Sequence, residues 1–402
     1  MTEHQLVRGL ERLVIVGGSL GAARVAEEAR RLGFEGSIVI IAEEPVAPYD
    51  RPPLSKQYLT DAAVPDLGLI DVETLGVSLL TGNRAVSLDT RNRRVHTTAG
   101  EVEYDALVIA TGAIPRQFDL GADLAGVTNL RTLQDARRVR DALQPGAQVV
   151  VIGAGFIGGE VASSARARGA SVTMVEVQEL PLVNAVGSLV AERLALLHRQ
   201  YDVDLRTRTR VRELVGEKRV EKVVLNDGTR VAADLVVVGI GVEPNTGWLR
   251  GSGVAVSDGV ACSPYLESTV PGVYAVGDVA RWVNPWSGHS TRMEHWTAVG
   301  EQAAAVARNA LTTDRRPCSV VPYFWSEWYG HKLQLLGEFA EETELYGDPE
   351  PTAPFLAQYR YDGNVVGAFA LDRTGPLMKL RGAITERVSW ESLLAARARA
   401  AR

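Results

Sequence analysis

Val149–Glu176 reads VVVIGAGFIGGEVASSARARGASVTMVE, and the fold follows from it. Val149, Val150, Val151 and Ile152 are consecutive β-branched residues, the composition of a strand buried on both faces of a parallel sheet. Gly153, Gly155 and Gly158 come next, a helix pattern runs from Ile157 to about Arg168, and a second strand, Ser171 to Val175, ends on Glu176. The three glycines serve different ends. Gly153 permits a tight strand-to-helix turn, Gly155 lets backbone approach a pyrophosphate, and Gly158 lets helix and strand pack closely. The helix N-terminus adds free N–H groups and partial positive charge. Glu176 stands where a carboxylate accepts from both hydroxyls of an adenosine ribose and repels a 2′-phosphate, so NADH is expected over NADPH. A glycine triplet alone is a weak signal; strand, triplet, helix, strand and terminal acid together are a strong one.

Working toward the N-terminus, the same architecture recurs. Leu13 to Val16 is an apolar strand, Gly17-Gly18-Ser19-Leu20-Gly21-Ala22 a turn, and a helix pattern extends to Leu32; a strand from Ser37 to Ala42 ends at Glu43. The chain thus contains an internal duplication of a dinucleotide-binding unit. The first copy has Ser19 at the second glycine position and Ala22 at the third, where alanine is tolerated. After Glu43, Pro48-Tyr-Asp-Arg-Pro-Pro-Leu-Ser-Lys56 is stiffened by Pro52 and Pro53 and carries Arg51 and Lys56, two cations suited to an anionic cofactor. The plain alternative is a proline-braced surface loop with solvated charges.

The rest of the 402-residue chain supports this organisation. Its 46% hydrophobic and 23% charged residues are a soluble globular balance, and a net charge of −6 gives no general attraction for nucleic acid or anionic membrane. No apolar run reaches the length of a membrane span and the N-terminus lacks a signal-peptide layout, so a cytoplasmic location is expected. The two cysteines, Cys262 and Cys318, form neither a disulfide framework nor a CxxC pair.

Further strands are expected at Arg84 to Leu88, Arg94 to Thr97 and Ala106 to Ala110, the last entering Thr111-Gly112-Ala113. Thr132 to Gln144 reads as a helix. Leu205 to Leu214 and Val220 to Asn226 read as a strand pair, followed by a buried strand, Leu235 to Gly239, that leads into Gly241-Val-Glu-Pro-Asn245. Pro271 to Ala280 offers a strand, a glycine and Asp278 before a helix pattern, a place for an acid facing a ligand hydroxyl or capping a helix. Glu294-His295-Trp296 precedes a helix from Thr297 to Asn309. From Pro322 the pattern is that of a separate α+β domain: strands Leu333 to Leu336, Phe355 to Tyr361 and Asn364 to Ala370, a helix at Leu377 to Arg381 and a helical end from Ser389 to Arg402.

These residues carry a likeness. The two fingerprints, ATGAIPR (Ala110–Arg116), GVEPN (Gly241–Asn245) and PGVYAVGDVA (Pro271–Ala280) resemble the two-dinucleotide-domain flavoprotein reductases. PYDRPPLSK (Pro48–Lys56), EHW (Glu294–Trp296) and PYFWS (Pro322–Ser326) make the chain similar to the NADH-dependent ferredoxin reductases of oxygenase systems, the putidaredoxin and rubredoxin reductase type within the pyridine nucleotide-disulfide oxidoreductases. The resemblance implies a glutathione-reductase-like α/β fold with two Rossmann-like domains. An FAD domain would span 1–115 and 243–321, an NADH domain 116–242, and a C-terminal α+β domain 322–402 would help dock the ferredoxin. It implies that FAD lies along Gly17, Ser19, Leu20, Gly21 and Ala22, with Glu43 on its ribose and backbone at Ala85 near the adenine. Ala110, Thr111, Gly112, Arg51, Lys56 and Arg131 would lie along the cofactor, and Gly277, Asp278, Glu294, His295 and Trp296 would approach its ribityl chain and ring. NADH would use Gly153, Gly155, Phe156, Ile157, Gly158, Glu176 and Gly241.

By the same resemblance, Lys56 and Glu160 form an ion pair beside the flavin N5, where a cation favours the reduced, anionic ring. Glu160 is placed in the first turn of the fingerprint helix, pointing into the active cleft; the plain alternative is an acid favoured by the helix dipole. Trp325 would lie between flavin and iron–sulfur cluster. No acid–base triad and no metal site is expected, since the flavin itself carries hydride and single-electron chemistry. Ferredoxins are acidic, so docking is expected at a basic patch of Arg308, Arg315, Arg316 and Lys332, on a monomer or weak dimer. Three features depart from the usual pattern: Ser19, Glu267 where arginine is common, and Trp328 where glutamine is common. Two other readings compete. An NADH oxidase, peroxidase or disulfide reductase would need a reactive cysteine, and an apoptosis-inducing-factor-like interaction protein would use NADH to change shape.

Overall fold

The computed structural model describes residues 5–400 apart from 122, 349 and 351. The chain divides into two compact units.

One unit takes the residues up to Asp50, then Asp66–Ile114 and Val242–Pro322. Its centre is a parallel five-stranded sheet in the order Val273–Ala275, Ala106–Ile109, Arg12–Val16, Ser37–Ile41, Val77–Leu80. The run Leu13–Val16 is almost wholly buried, as a strand covered on both faces must be. Helices Leu20–Arg31 and Trp296–Leu311 pack on each other beside this sheet, burying Ala22, Val25, Ala26, Val299, Ala303 and Val306. A small antiparallel sheet of Ala85–Asp89, Arg94–Thr97 and Gly100–Glu103 completes the crossover. Asp278 lies not before a helix but in the single 3-10 turn Gly277–Val279, after which the chain enters a strand, Ala280–Val283. Its N-cap is Val276, so the capping role considered for Asp278 does not apply.

The other unit takes Arg51–Pro65, Pro115–Gly241 and the residues from Tyr323 onward. A second parallel sheet runs in the order Val203–Arg206, Ser171–Val175, Gln148–Ile152, Leu235–Val238, Val127–Asn129. The duplication extends to single hydrogen bonds. Gly17 N–H donates to Ile41 O at 2.8 Å, and Gly153 N–H to Val175 O at 2.8 Å. A carboxylate from a later loop receives the N–H that opens each central strand: Asp105 from Arg12 at 2.7 Å, Asp234 from Gln148 at 2.8 Å. The expected strand Leu205 to Leu214 is in fact two strands. Val203–Arg206 ends the parallel sheet, and after Arg208, whose φ is +51°, Val211–Val215 joins an antiparallel sheet with Lys222–Leu225 and Arg230–Ala232. Two-periodic burial does not reveal a break when both halves are strands. The helix Ser188–Gln200, not expected from the sequence, buries Val190, Leu194 and Leu197 against the C-terminal sheet.

That C-terminal sheet is antiparallel, ordered Tyr323–Trp328, His331–Gly337, Asn364–Leu371, Phe355–Tyr361, Glu342–Gly347. The final helix spans Trp390–Ala400; the last two residues of the expected helical end lie outside the described residues. Arg51–Pro65 is clamped within this unit by Arg140, which donates to the carbonyls of Tyr58, Asp61 (2.7 Å) and Ala62 (3.1 Å) while its guanidinium lies over the Tyr58 ring. Among the described residues, no helix is long and apolar enough to cross a membrane.

Candidate functional site

Both fingerprint turns demand glycine. Gly17 has φ +126°, and a Cβ there would sit 2.1 Å from Ala110 O; Gly153 has φ +99°, with Gly239 O at 2.3 Å. Ser19 and Gly155 are the N-caps of the helices that follow, so each helix presents its first N–H groups at the C-terminal edge of its sheet. Around Gly155 a Cβ would meet nothing within 4 Å, the open approach a pyrophosphate needs. At Gly158 it would strike Gly153 O at 2.1 Å, so this glycine serves close packing.

In the first unit, Glu43 is exposed just beyond the end of Ser37–Ile41, and Ala85 opens its strand opposite Thr97. Ala110 is buried, its N–H donating to Val16 O at 2.7 Å. Thr111 donates from Oγ1 to Asn245 O at 2.8 Å, and Gly112 takes φ +62°. Gly277 N–H donates to Gln302 Oε1 at 2.6 Å, and Gln302 is fully buried with Nε2 unpartnered among the described residues. That orphaned donor beside the Gly277–Asp278 turn fits a bound polar ligand. Arg292 donates to Asp278 O at 3.1 Å and pairs with Glu294 at 2.6 Å, so Glu294 is tied to its neighbour. His295 caps Trp296–Leu311, and burial drives its pKa down to about 4 against the opposing pull of Asp278. Trp296 donates Nε1–H to Asp50 at 2.7 Å with about a third of the residue exposed. Sequence reasoning missed Gln302 and Arg292; nothing in a helical glutamine or a strand arginine marks them.

In the second unit, Glu176 receives Ala154 N–H on Oε2 and Gln178 N–H on Oε1, each at 2.8 Å, which fixes the carboxylate beside the fingerprint turn. Ile157 is exposed, Gly241 has φ +98° with the Arg116 side chain beside it, and Arg51 donates to Arg131 O at 2.5 Å. The Phe156 ring meets Phe324 at 4.2 Å between centroids.

Lys56 and Glu160 come together at 2.8 Å. Glu160 is the fifth residue of Phe156–Ala167, one position past the expected first turn, and it does not point into an open cleft. Its side chain is 3% exposed, because Ser326 Oγ–H donates to Oε1 at 2.6 Å and Ser55 Oγ–H and Lys56 Nζ–H converge on Oε2. Ser55 in turn accepts at its carbonyl from Ser164 Oγ at 2.7 Å, and Lys56 also donates to Pro52 O at 3.1 Å. A buried carboxylate with three donors, one a cation, stays folded in; removing a partner leaves charge uncompensated. Ser55 and Ser326 both stand inside quoted motifs, PPLSK and PYFWS, yet only the buried geometry assigns them.

Strand Tyr323–Trp328 divides its side chains by alternation. Phe324, Ser326 and Trp328 face the fingerprint helix, whereas Trp325 stacks on Tyr323 at 6.5 Å between centroids. Trp328 is fully buried, donates Nε1–H to Phe156 O at 3.2 Å and lies over Gly159. The supposed basic patch is largely compensated: Arg308 and Arg316 both pair with Asp314 and Arg315 pairs with Glu267, which accounts for that unusual acid. Lys332 is exposed in the other unit, its backbone N–H donating to Asp372. Burial pushes both Cys262 and Cys318 thiols up to about 12, so neither supplies a reactive thiolate near neutral pH.

The chain matches the family described as pyridine nucleotide-disulphide oxidoreductase over residues 11–303 and the one described as reductase C-terminal over 323–400. It is 34% identical over 393 residues to a probable ferredoxin reductase, CtmF, of Castellaniella defragrans, covering 94% of this chain and 95% of the relative. It is 32% identical over 372 residues to the biphenyl dioxygenase system ferredoxin–NAD(+) reductase component of Paraburkholderia xenovorans, covering 91% of this chain and 91% of that protein. Among solved structures it is similar to the covalent putidaredoxin reductase–putidaredoxin complex, with a TM-score of 0.90, 30% identity and 94% of each chain covered. With two glycine cradles of one design and a family match over most of its length, the chain belongs to the pyridine nucleotide-disulphide oxidoreductase family.

Proposed function

We propose that this chain is an FAD-dependent NADH:ferredoxin reductase, passing electrons from NADH to a small iron–sulfur ferredoxin that feeds a monooxygenase or dioxygenase. The observation that carries the reading is the buried Lys56–Glu160 pair at 2.8 Å, held by the hydroxyl of adjacent Ser55 and by that of Ser326 from a third segment. Bound FAD would supply the conversion of a two-electron hydride into single electrons. The residues present fit such a group: a glycine turn no side chain could enter, the helix N-terminus that follows Ser19, and the Gln302 amide near Asp278, unpartnered among the described residues. In this reading 1–115 and 243–321 hold FAD, 116–242 hold NADH and 322–402 form the covering domain.

The chain's own groups then have distinct roles. Gly153–Gly158 takes the NADH pyrophosphate and Glu176, already aimed by two N–H donors, takes the ribose hydroxyls. Glu160 keeps the Lys56 ammonium in place, and the reading gives that cation the task of favouring a reduced, anionic flavin. The inert cysteines remove the reason to favour a peroxidase or disulfide reductase. The compensated arginines argue that ferredoxin docks by shape around Trp325 more than by a cationic patch at Arg308, Arg315 and Arg316. Steady-state turnover tests the reading. NADH consumption should be rapid only when a ferredoxin or rubredoxin and a terminal acceptor are present; rapid turnover with oxygen alone, or a preparation that takes up no flavin, would overturn it.

A further inference from the structure

Strand Ser171–Val175 leads to Glu176, and its neighbour in the parallel sheet, Val203–Arg206, continues beside it past the end of both strands. Glu176 N–H donates to Arg206 O, Arg208 N–H to Gln178 O and Thr209 N–H to Glu176 O, each at 2.9 Å. These bonds fix the backbone of Arg208 against Glu176–Gln178, at φ +51°, in the left-handed region that favours glycine. In dinucleotide sites of this design an arginine near the acid is what receives a 2′-phosphate. Here the nearby arginines are engaged. Arg208 pairs with Glu179, three residues after Glu176, and Arg206 is drawn back along its own strand by Asp204 at 2.8 Å. Val177, between the ribose acid and the pair, is exposed and uncharged. The next cation, Arg210, is exposed and has no ion pair among the described residues. Its backbone is committed elsewhere, donating from N–H to Asn226 Oδ1 at 3.1 Å and accepting from Asn226 N–H at 2.9 Å.

This inference rests on the NADH reading of the second glycine fingerprint. We infer that Glu179 is a specificity-determining residue of that site, because it occupies the arginine placed to receive a 2′-phosphate. The chain then rejects a 2′-phosphorylated dinucleotide with two acids. Glu176 repels the phosphate at the ribose. Glu179 acts at one remove, holding the Arg208 guanidinium in a pair and adding a negative charge of its own. Both side chains of that pair are about two-thirds exposed, so the pair is weak and its effect on affinity is a few-fold, about fivefold. Once released, the planar guanidinium can grip a phosphate with two N–H groups, which a lysine cannot reproduce.

The test measures nucleotide binding, not turnover. Full-length protein loaded with FAD is titrated calorimetrically with NAD+ and with NADP+. Glu176→Ser removes the direct repulsion and supplies the background. On it, Glu179→Gln should tighten NADP+ about fivefold and leave NAD+ within about twofold. Adding Arg208→Gln should abolish that gain, and Arg208→Lys, which keeps the charge, should lose roughly half of it or more. Adding Arg210→Gln should leave the gain intact. The series is repeated with Glu176 in place, by competition against NAD+, so that a misfolded background decides nothing; retained flavin absorbance shows that each variant folds. No gain with Glu179→Gln, a gain untouched by Arg208→Lys, or one lost equally with Arg210→Gln would overturn the inference while leaving the NADH site standing. Wild-type protein that binds NADP+ as tightly as NAD+, or Glu176→Ser that leaves their ratio unchanged, would overturn the NADH reading itself.

Discussion

Replacing Gly159 by alanine puts a sign, not merely a size, at stake. Gly159 lies inside helix Phe156–Ala167, where alanine is normally favoured by about 1 kcal/mol. Here a Cβ would stand 2.2, 2.4 and 2.7 Å from three atoms of the Trp328 indole. That ring cannot drift away: it is fully buried, its Nε1–H is bonded to Phe156 O at 3.2 Å, and the His198 ring packs at 4.7 Å between centroids. Overpacking of this kind costs about 1–3 kcal/mol, and contacts this short place it at the upper end. Gly159→Ala should therefore destabilise the protein by roughly 1–2 kcal/mol net of the propensity gain. In a Trp328→Leu background the clash disappears, and the same substitution should stabilise by about 1 kcal/mol, a coupling of roughly 2–3 kcal/mol between the two sites. Urea denaturation of the four proteins, followed by far-ultraviolet circular dichroism, measures it. If Gly159→Ala stabilises equally in both backgrounds, the seat of Trp328 on the fingerprint helix is wrong.

Other expectations follow from the same geometry. Lys56→Met should slow flavin reduction by NADH about tenfold or more, roughly 1.4 kcal/mol of barrier, with FAD still bound; stopped-flow reduction at the wild-type rate would exclude the role given to the lysine. Ser326→Ala takes one donor from buried Glu160 and should cost about 1–3 kcal/mol in chemical denaturation, where a change within 0.3 kcal/mol would be about that of an exposed surface site. His198 is fully buried with Nε2 unpartnered among the described residues, and burial lowers its pKa from 6.5 to about 3. The unfolded chain therefore binds the extra proton first, so stability is whole above pH 6.5 and falls toward pH 3, by up to about 1.4 kcal/mol per pH unit. His198→Asn should flatten that part of the stability–pH curve, and superimposable curves would contradict the assignment. Arg316→Glu should change the KM for ferredoxin less than twofold, because Arg316 already faces Asp314; a tenfold rise would restore the cationic patch.

What the sequence revealed followed from backbone necessity. Gly17 and Gly153 are legible because no other residue tolerates their φ and their carbonyl neighbours, and the strands beside them because burial on two faces leaves an unbroken apolar run. The Lys56–Glu160 contact entered only through resemblance, since residues 104 positions apart carry no mutual signal in one sequence. The companions of that pair were not legible at all. A serine is polar at low cost almost anywhere, and only the burial of Glu160 turns Ser55 and Ser326 into its donors. Trp328 read as an oddity because its counterpart is an absence, the missing side chain of Gly159. The arginine cluster misled for a related reason: composition counts cations, whereas Asp314 and Glu267 determine how much of their field reaches solvent.

The hydroxyl of Ser326 has a practical consequence for anyone recombining such proteins. Residues 323–400 match a family description of their own and look like a detachable cassette. A chimera that imports this cassette from another reductase would exchange Ser326 and Trp328 together, while Glu160 and Gly159 stayed with the recipient. Splicing at residue 322 thus cuts through a matched set, and grafts whose residues at 326 and 328 fit the recipient's residues at 159 and 160 should mature into coloured, soluble holoenzyme where mismatched ones do not.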